Sequence, residues 1–202
     1  MVFDFSKICK TYDAKIYKRS DFEATRCPNC PSIGRLNLHG SYWRHVLYFS
    51  DHGLNYDFIE IKRIRCISCE TTHAVMPGDI IPYKLLSLIV FFFILKLFYT
   101  VKMSVMKIAA KCGFSFQLVY SVLATFLKHA SRITIFLREI FPGMLQAKFN
   151  GANIISFIRR PHPEFQSEYI KLNKRPCFMC KFLDSANAPP IGQMPALLHR
   201  HR

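Results

Sequence analysis

Residues 59–65 read Ile59-Glu60-Ile61-Lys62-Arg63-Ile64-Arg65, which puts Ile59 and Ile61 on one face and charge on the other. This period of two predicts a strand entering Cys66. Residues 36–39 and 41–49 are two further strand candidates, and Ser50-Asp51-His52-Gly53 supplies the turn before the last strand. The expected unit is a three-stranded ribbon. After Pro82 the pattern changes. Residues 85–95 are apolar all round, as in a buried core helix, and residues 104–123 carry apolar positions at helical spacing around a single glycine. Residues 131–140 continue as helix until Phe141-Pro142-Gly143 breaks it. Strands first and helices afterwards predict an α+β chain, a small β ribbon followed by a helical domain.

The boundaries follow from these changes. Residues 1–26 read as a basic N-terminal arm or short helix, 27–80 as the ribbon, 81–140 as the helical domain and 141–202 as an irregular C-terminal segment. That last segment has a loop at Arg159-Arg160-Pro161-His162-Pro163 and an extended, proline-bearing stretch over 187–195.

Composition narrows the function. Half of the 202 residues are apolar, enough for a packed core and unlike a disordered chain. Lys and Arg number 28 against 13 Asp and Glu, a net charge of +15 read as running along most of the chain. A polyanion is the natural partner. The apolar run near residue 90 falls short of the roughly 20 residues that a spanning helix needs, and Lys96 interrupts it. Extended to residue 99 it approaches that length, so association with a membrane through residues 85–99 stays as an alternative. The chain opens without a basic segment followed by an apolar one, so the expected location is the cytoplasm, in association with the nucleoid, with reduced thiols.

Cysteine spacing brings the first chemistry. Cys27-Pro28-Asn29-Cys30 and Cys66-Ile67-Ser68-Cys69 are two knuckles separated by 35 residues. Each tight loop offers two thiolates, and two such loops at the ends of a hairpin close a tetrahedron around a structural zinc ion. Cys27, Cys30, Cys66 and Cys69 are the expected ligands. His73 lies four residues past Cys69 and is expected beside the metal, since four thiolates already complete the set. Cys177 and Cys180 repeat the spacing without further partners and read as free thiols. Cys112 reads as a small buried hydrophobe and Trp43 as a packing residue of the ribbon core.

The second chemistry lies in residues 104–128, which read as a helix-turn-helix. Ile108 and Cys112 face inward one turn apart, and Ala109 is small where a second helix must approach. Gly113 ends the first helix, Phe114 fills the angle, and Ser115 caps the next helix. The recognition helix begins at Phe116, with Val119, Val122, Leu123 and Phe126 as its inward stripe. Ser115, Phe116, Gln117, Tyr120, Ser121 and Lys128 are left as candidate DNA contacts, with Ala124 on the same face. In such a motif the N-terminal residues of the second helix point to base edges in the major groove.

Taken in order, Cys-Pro-x-Cys, Gly40-Ser41-Tyr42-Trp43-Arg44, residues 61–69, Thr72-His73, Pro77 and Ile80-Ile81-Pro82-Tyr83-Lys84 resemble the N-terminal part of bacterial insertion-sequence transposases. More closely, the chain is similar to short transposase-like proteins that carry a zinc ribbon followed by a helix-turn-helix, over about residues 27 to 130. The resemblance implies zinc at the four cysteines and a helical part that binds DNA ends or a related site. Two departures are Pro31 and Glu70, where a glycine commonly follows such knuckles. Full transposases of this kind add a domain with three spaced carboxylates. After residue 130 this chain has only Glu139, Glu164, Glu168 and Asp184, too few and in too short a segment for such a domain. The expected protein is therefore a double-stranded-DNA binder and not an enzyme, with no small-molecule substrate, to which a catalytic transposase partner would bring the chemistry. A transcription regulator unrelated to transposition is the alternative with the same residues.

Overall fold

The computed structural model describes residues 1–4, 7–140, 151–158 and Tyr169, and the fold is α+β. Its four-stranded sheet has the order β1-β4-β3-β2, from β1 (Val2–Asp4), β2 (Leu36–Ser50), β3 (Gly53–Cys66) and β4 (Thr72–Pro77). β2 and β3 form a long antiparallel hairpin, β3 and β4 pair antiparallel, and β1 joins β4 in parallel with Val2 opposite Val75.

The hairpin corrects the reading of residues 36–49 as two strands. The chain passes Gly40 at φ 102, and the register shifts between Leu38 and Ser41, so a bulge replaces the expected break. The turn at residues 50–53 is as expected. Ser50 pairs with Gly53, its hydroxyl accepts the His52 N–H at 3.1 Å, and Gly53 takes φ 107.

Of the first 26 residues, Val2–Asp4 join this sheet. Beyond β1 this segment forms three short 3-10 turns, two held by Asp13 accepting the Lys15 N–H and Asp21 accepting the Lys18 N–H, both at 2.8 Å. Val75 and Met76 are neighbours on β4 and so point to opposite faces of the sheet. Val75 packs with Tyr17, Phe22, Leu36 and Ile64, whereas Met76 packs with Cys9, Val46, Ile61 and Ile80. Trp43 belongs to neither group. It is 66% exposed, which corrects its expected place in the core.

The helices described along the chain are α1 (Leu88–Tyr99), α2 (Val105–Cys112), α3 (Phe116–Ile140) and α4 (Gly151–Ile158). α1 starts three residues later than the apolar run. Leu86 bridges to Leu47 on the β2 edge, and the Ser87 hydroxyl accepts the Val90 N–H at 3.4 Å. Leu88, Val90, Phe91, Ile94 and Leu95 are buried, the core role expected of them. Among the described residues no helix is long and apolar enough to cross a membrane.

α2 and α3 pack on one another, and Ile108, Ala109, Val119, Val122, Leu123 and Phe126 are buried. Cys112 is only half-buried, a correction to its expected role. α4 falls within the C-terminal segment read as irregular. Its Ile154 and Ile155 are buried, and a Cβ at Gly151 would stand 2.4 Å from the Tyr99 ring. The break at residues 141–143, the loop at 159–163, Cys177, Cys180 and the tail at 187–202 lie outside the described residues.

The chain divides into two compact units, Met1–Ile80 with Lys84–Val90, and Ile81–Tyr83 with Phe91–Arg202. Charge divides as well. Residues 1–80 carry eleven Lys or Arg against nine Asp or Glu, whereas residues 81–138 carry eight Lys or Arg and no acid. The basic excess is thus concentrated after residue 80, in place of the even spread read from the totals.

Candidate metal centre

The two knuckles meet because the hairpin returns the chain to its starting point. Leu36 lies opposite Cys66 at the open end of β2 and β3, so the intervening residues form the hairpin itself. The first knuckle is a small turn closed by the Arg26–Ile33 bridge, with the Cys27 N–H donating to the Ser32 carbonyl at 2.9 Å and the Gly34 N–H to the Thr25 carbonyl at 3.1 Å. Gly34 sits at φ 67, and a Cβ there would lie 2.5 Å from the Glu23 carbonyl oxygen. Only glycine fits this position. The Ile67 N–H donates to the Arg35 carbonyl at 2.8 Å and ties the second knuckle to the strand leaving the first.

These contacts bring the sulfurs of Cys27, Cys30, Cys66 and Cys69 within 4.8 Å of one another. Cys27 Sγ lies 3.7 Å from Cys69 Sγ, and Cys30 Sγ lies 3.7 Å from Cys66 Sγ. A disulfide needs sulfurs about 2.05 Å apart, so these are free thiols. A tetrahedron with metal–sulfur bonds of about 2.3 Å has edges of about 3.8 Å, so the spacing fits a four-thiolate metal site.

The surrounding donors favour thiolate. The Ser32 hydroxyl lies 3.0 Å from Cys30 Sγ and 3.3 Å from Cys66 Sγ, and the Asn29 N–H donates to Cys27 Sγ at 3.4 Å. The Ser32 hydroxyl and then the Cys69 backbone N–H bring the Cys66 thiol down to about 6. Thr71 lowers Cys69 through its hydroxyl and its N–H. Asn29 Nδ2 donates to Thr71 Oγ1 at 3.1 Å and so links the knuckles. Burial acts the other way on Cys27 and raises it to about 11, a cost that a bound cation would offset.

His73 is buried on β4 with Nε2 3.3 Å from Cys27 Sγ. Burial lowers its pKa, so the ring is neutral, and with the proton on Nε2 it donates to that sulfur. It supports a ligand without replacing one, the place expected from the sequence. Glu70 takes φ 58, the left-handed conformation for which glycine is the ordinary choice, with its carbonyl accepting from Arg65 Nε at 3.2 Å. The roles of Asn29, Ser32 and Thr71 were missed in the sequence. The signal available was a hydroxyl residue two positions after each knuckle, Ser32 after Cys30 and Thr71 after Cys69.

The candidate DNA-contact residues stand elsewhere, on α3. Ser104 caps α2 by accepting the Lys107 N–H at 3.4 Å, Gly113 ends it at φ 67, and Ser115 caps α3 by accepting the Leu118 N–H at 3.2 Å. Phe116, Gln117, Tyr120, Ala124 and Lys128 are exposed and Ser121 is half-buried, so all lie away from the buried stripe.

A family model described as a domain of unknown function (DUF6431) matches residues 27–101. The match begins at the first metal-site cysteine and ends before α2, so it takes in the four-cysteine cluster and not the α2–α3 pair. No curated protein and no solved structure matches the chain.

Proposed function

We propose that this chain is a zinc-stabilised, duplex-DNA-binding protein of transposase-like type, with α2 and α3 as a helix-turn-helix and no strand-transfer centre of its own. The observation that carries the reading is the acid-free run of residues 81–138 that contains a capped helix pair with an exposed face. Such a surface attracts phosphate without a competing carboxylate, and Gln117, Tyr120, Ser121 and Lys128, outside the buried stripe, would meet bases and backbone from the major groove. Four thiolates at tetrahedral spacing suit a structural zinc ion. The bound ion would supply folding energy, holding together a unit whose knuckles have little core of their own. The sequence resemblance to insertion-sequence transposases directs the reading towards DNA ends in preference to promoters.

Two measurements on the purified chain test this. Elemental analysis is expected to find one zinc per chain. Fluorescence anisotropy with duplex DNA is expected to show affinity falling steeply with salt, and more weakly bound DNA after Gln117→Ala or Lys128→Ala. A metal-free native protein, or duplex binding indifferent to salt, would overturn the corresponding half of the reading. Preference for terminal inverted repeats over promoter fragments separates the transposase-like role from that of a transcription regulator.

A further inference from the structure

The exposed face of α3 has a chemical bias that bears on which bases it can read. Residues 116–127, the first three turns, contain no Lys, Arg, Asp or Glu. Val119, Val122 and Leu123 are buried, which leaves Phe116, Gln117, Tyr120, Ser121 and Ala124 towards solvent. Phe116 is 46% exposed and Tyr120 38%, one turn apart, with ring centroids 6.4 Å from each other and planes at 88°. They leave aromatic surface available to solvent at the start of the helix.

The four base pairs differ in what they ask of a protein. Guanine in the major groove is read chiefly by Arg or Lys forking onto O6 and N7, and cytosine by a carboxylate that accepts from N4. The first three turns of α3 offer neither. Adenine asks for a side-chain amide that both donates and accepts, which Gln117 provides, and thymine presents a methyl group that pairs with apolar surface. Phe116 provides that surface in the first turn, and the Ala124 methyl lies further along the same face. The nearest cation on the helix is Lys128, three turns in and suited to phosphate.

Building on the DNA-binding reading above, we infer that α3 reads A·T base pairs in the major groove, with Gln117 on the adenine edge and Phe116 against the thymine methyl. The occupant is set by charge: this unit is cationic, its helix face is acid-free, and a polyanion with apolar methyls in its groove complements both features.

The test uses the full, zinc-loaded chain and four duplexes of equal length: all A·T, all G·C, A·U in place of A·T, and A·T with 7-deazaadenine. Uracil removes the methyl and 7-deazaadenine removes N7, both only in the major groove. Affinity for A·T is expected to exceed that for G·C by about tenfold, and both modified duplexes are expected to lose several-fold. Phe116→Ala should abolish the response to uracil and leave the response to 7-deazaadenine, with Phe116→Leu between it and the native chain. Gln117→Ala should do the reverse. Circular dichroism checks that the variants fold. Equal, salt-dependent affinity for all four duplexes would overturn the base assignment and leave DNA binding standing. An A·T preference blind to both modifications would place the contact in the minor groove and overturn it too. Binding to no duplex would remove both this inference and the reading beneath it.

Discussion

Ser32 sits where one hydroxyl serves two sulfurs, 3.0 Å from Cys30 and 3.3 Å from Cys66. Groups that orient and polarise metal ligands typically change affinity by about 10–100-fold when removed. Ser32→Ala is expected to fall in that range, read by competition with a chromogenic chelator, while Ser32→Thr keeps most of the native affinity. Unchanged affinity in the alanine variant would mean that the hydroxyl only fills space. A second buried contact lies apart from the four cysteines. Asp79 Oδ1 accepts the Cys9 N–H at 2.9 Å and its thiol at 3.3 Å, and both side chains are almost fully buried. Burial raises the Asp79 carboxyl above its ordinary value and also raises the Cys9 thiol, which therefore stays protonated as a donor. A carboxyl raised in the fold binds a proton that the unfolded chain gives up. Its stabilising contribution is complete below the ordinary carboxyl pKa and is lost as pH rises through the raised one. Asp79→Asn keeps an acceptor oxygen without a buried charge. It should melt at a higher temperature than the native chain at neutral pH, with the difference closing as the solution is acidified. A constant difference across that range would show that Asp79 carries no buried charge at neutral pH.

At the level of elements, the α2–α3 turn depends on one backbone conformation and two caps. Gly113 stands at φ 67 and ψ 24 with its N–H on the Ala109 carbonyl, and nothing lies within 4 Å of where its Cβ would be. Replacement is therefore penalised by the backbone alone, about 1–2 kcal/mol. Gly113→Val should lose that much in urea denaturation, and Gly113→Asn less. Ser104→Ala and Ser115→Ala should each lose about 1 kcal/mol through their caps. This helix pair was legible in the sequence because its determinants are local: a glycine, two serines and an apolar stripe within two dozen residues. The four-cysteine cluster was legible for a similar reason, since a Cys-x-x-Cys turn places both sulfurs whatever lies between the knuckles. Elements set by distant partners were not. Val2, Phe3 and Asp4 are a strand because Val75, Met76 and Pro77 offer them an edge. The start of α1 moved from residue 85 to Leu88 because Leu86 and Ser87 are held at the β2 edge by Leu47. Ser32 and Thr71 reach the sulfurs only after the hairpin has closed, so spacing alone marked their positions without their role.

At the scale of the whole molecule, charge is divided unevenly along the chain, and the proposed DNA contact belongs to the part without carboxylates. Residues 1–80 are close to balanced, and their cations have carboxylates available, as in the Lys10–Asp51 pair at 3.5 Å and the Arg65–Glu70 pair at 3.1 Å. Residues 81–138 have no carboxylate at all, and Lys107 and Lys111 stand exposed one turn apart on α2. In the proposed helix-turn-helix the first helix would cross the DNA backbone, and these two lysines would then meet phosphate. Each phosphate neutralised contributes about 0.9 to the slope of log affinity against log salt. Lys107→Ala with Lys111→Ala should therefore lower that slope by about two, weakening binding to every duplex alike and leaving base preference intact. Lys15→Ala with Lys18→Ala removes the same charge from the balanced region and should leave the slope as it was. If both pairs lowered the slope equally, the chain would be attracting DNA through its net charge of +15 and not through a docked helix pair.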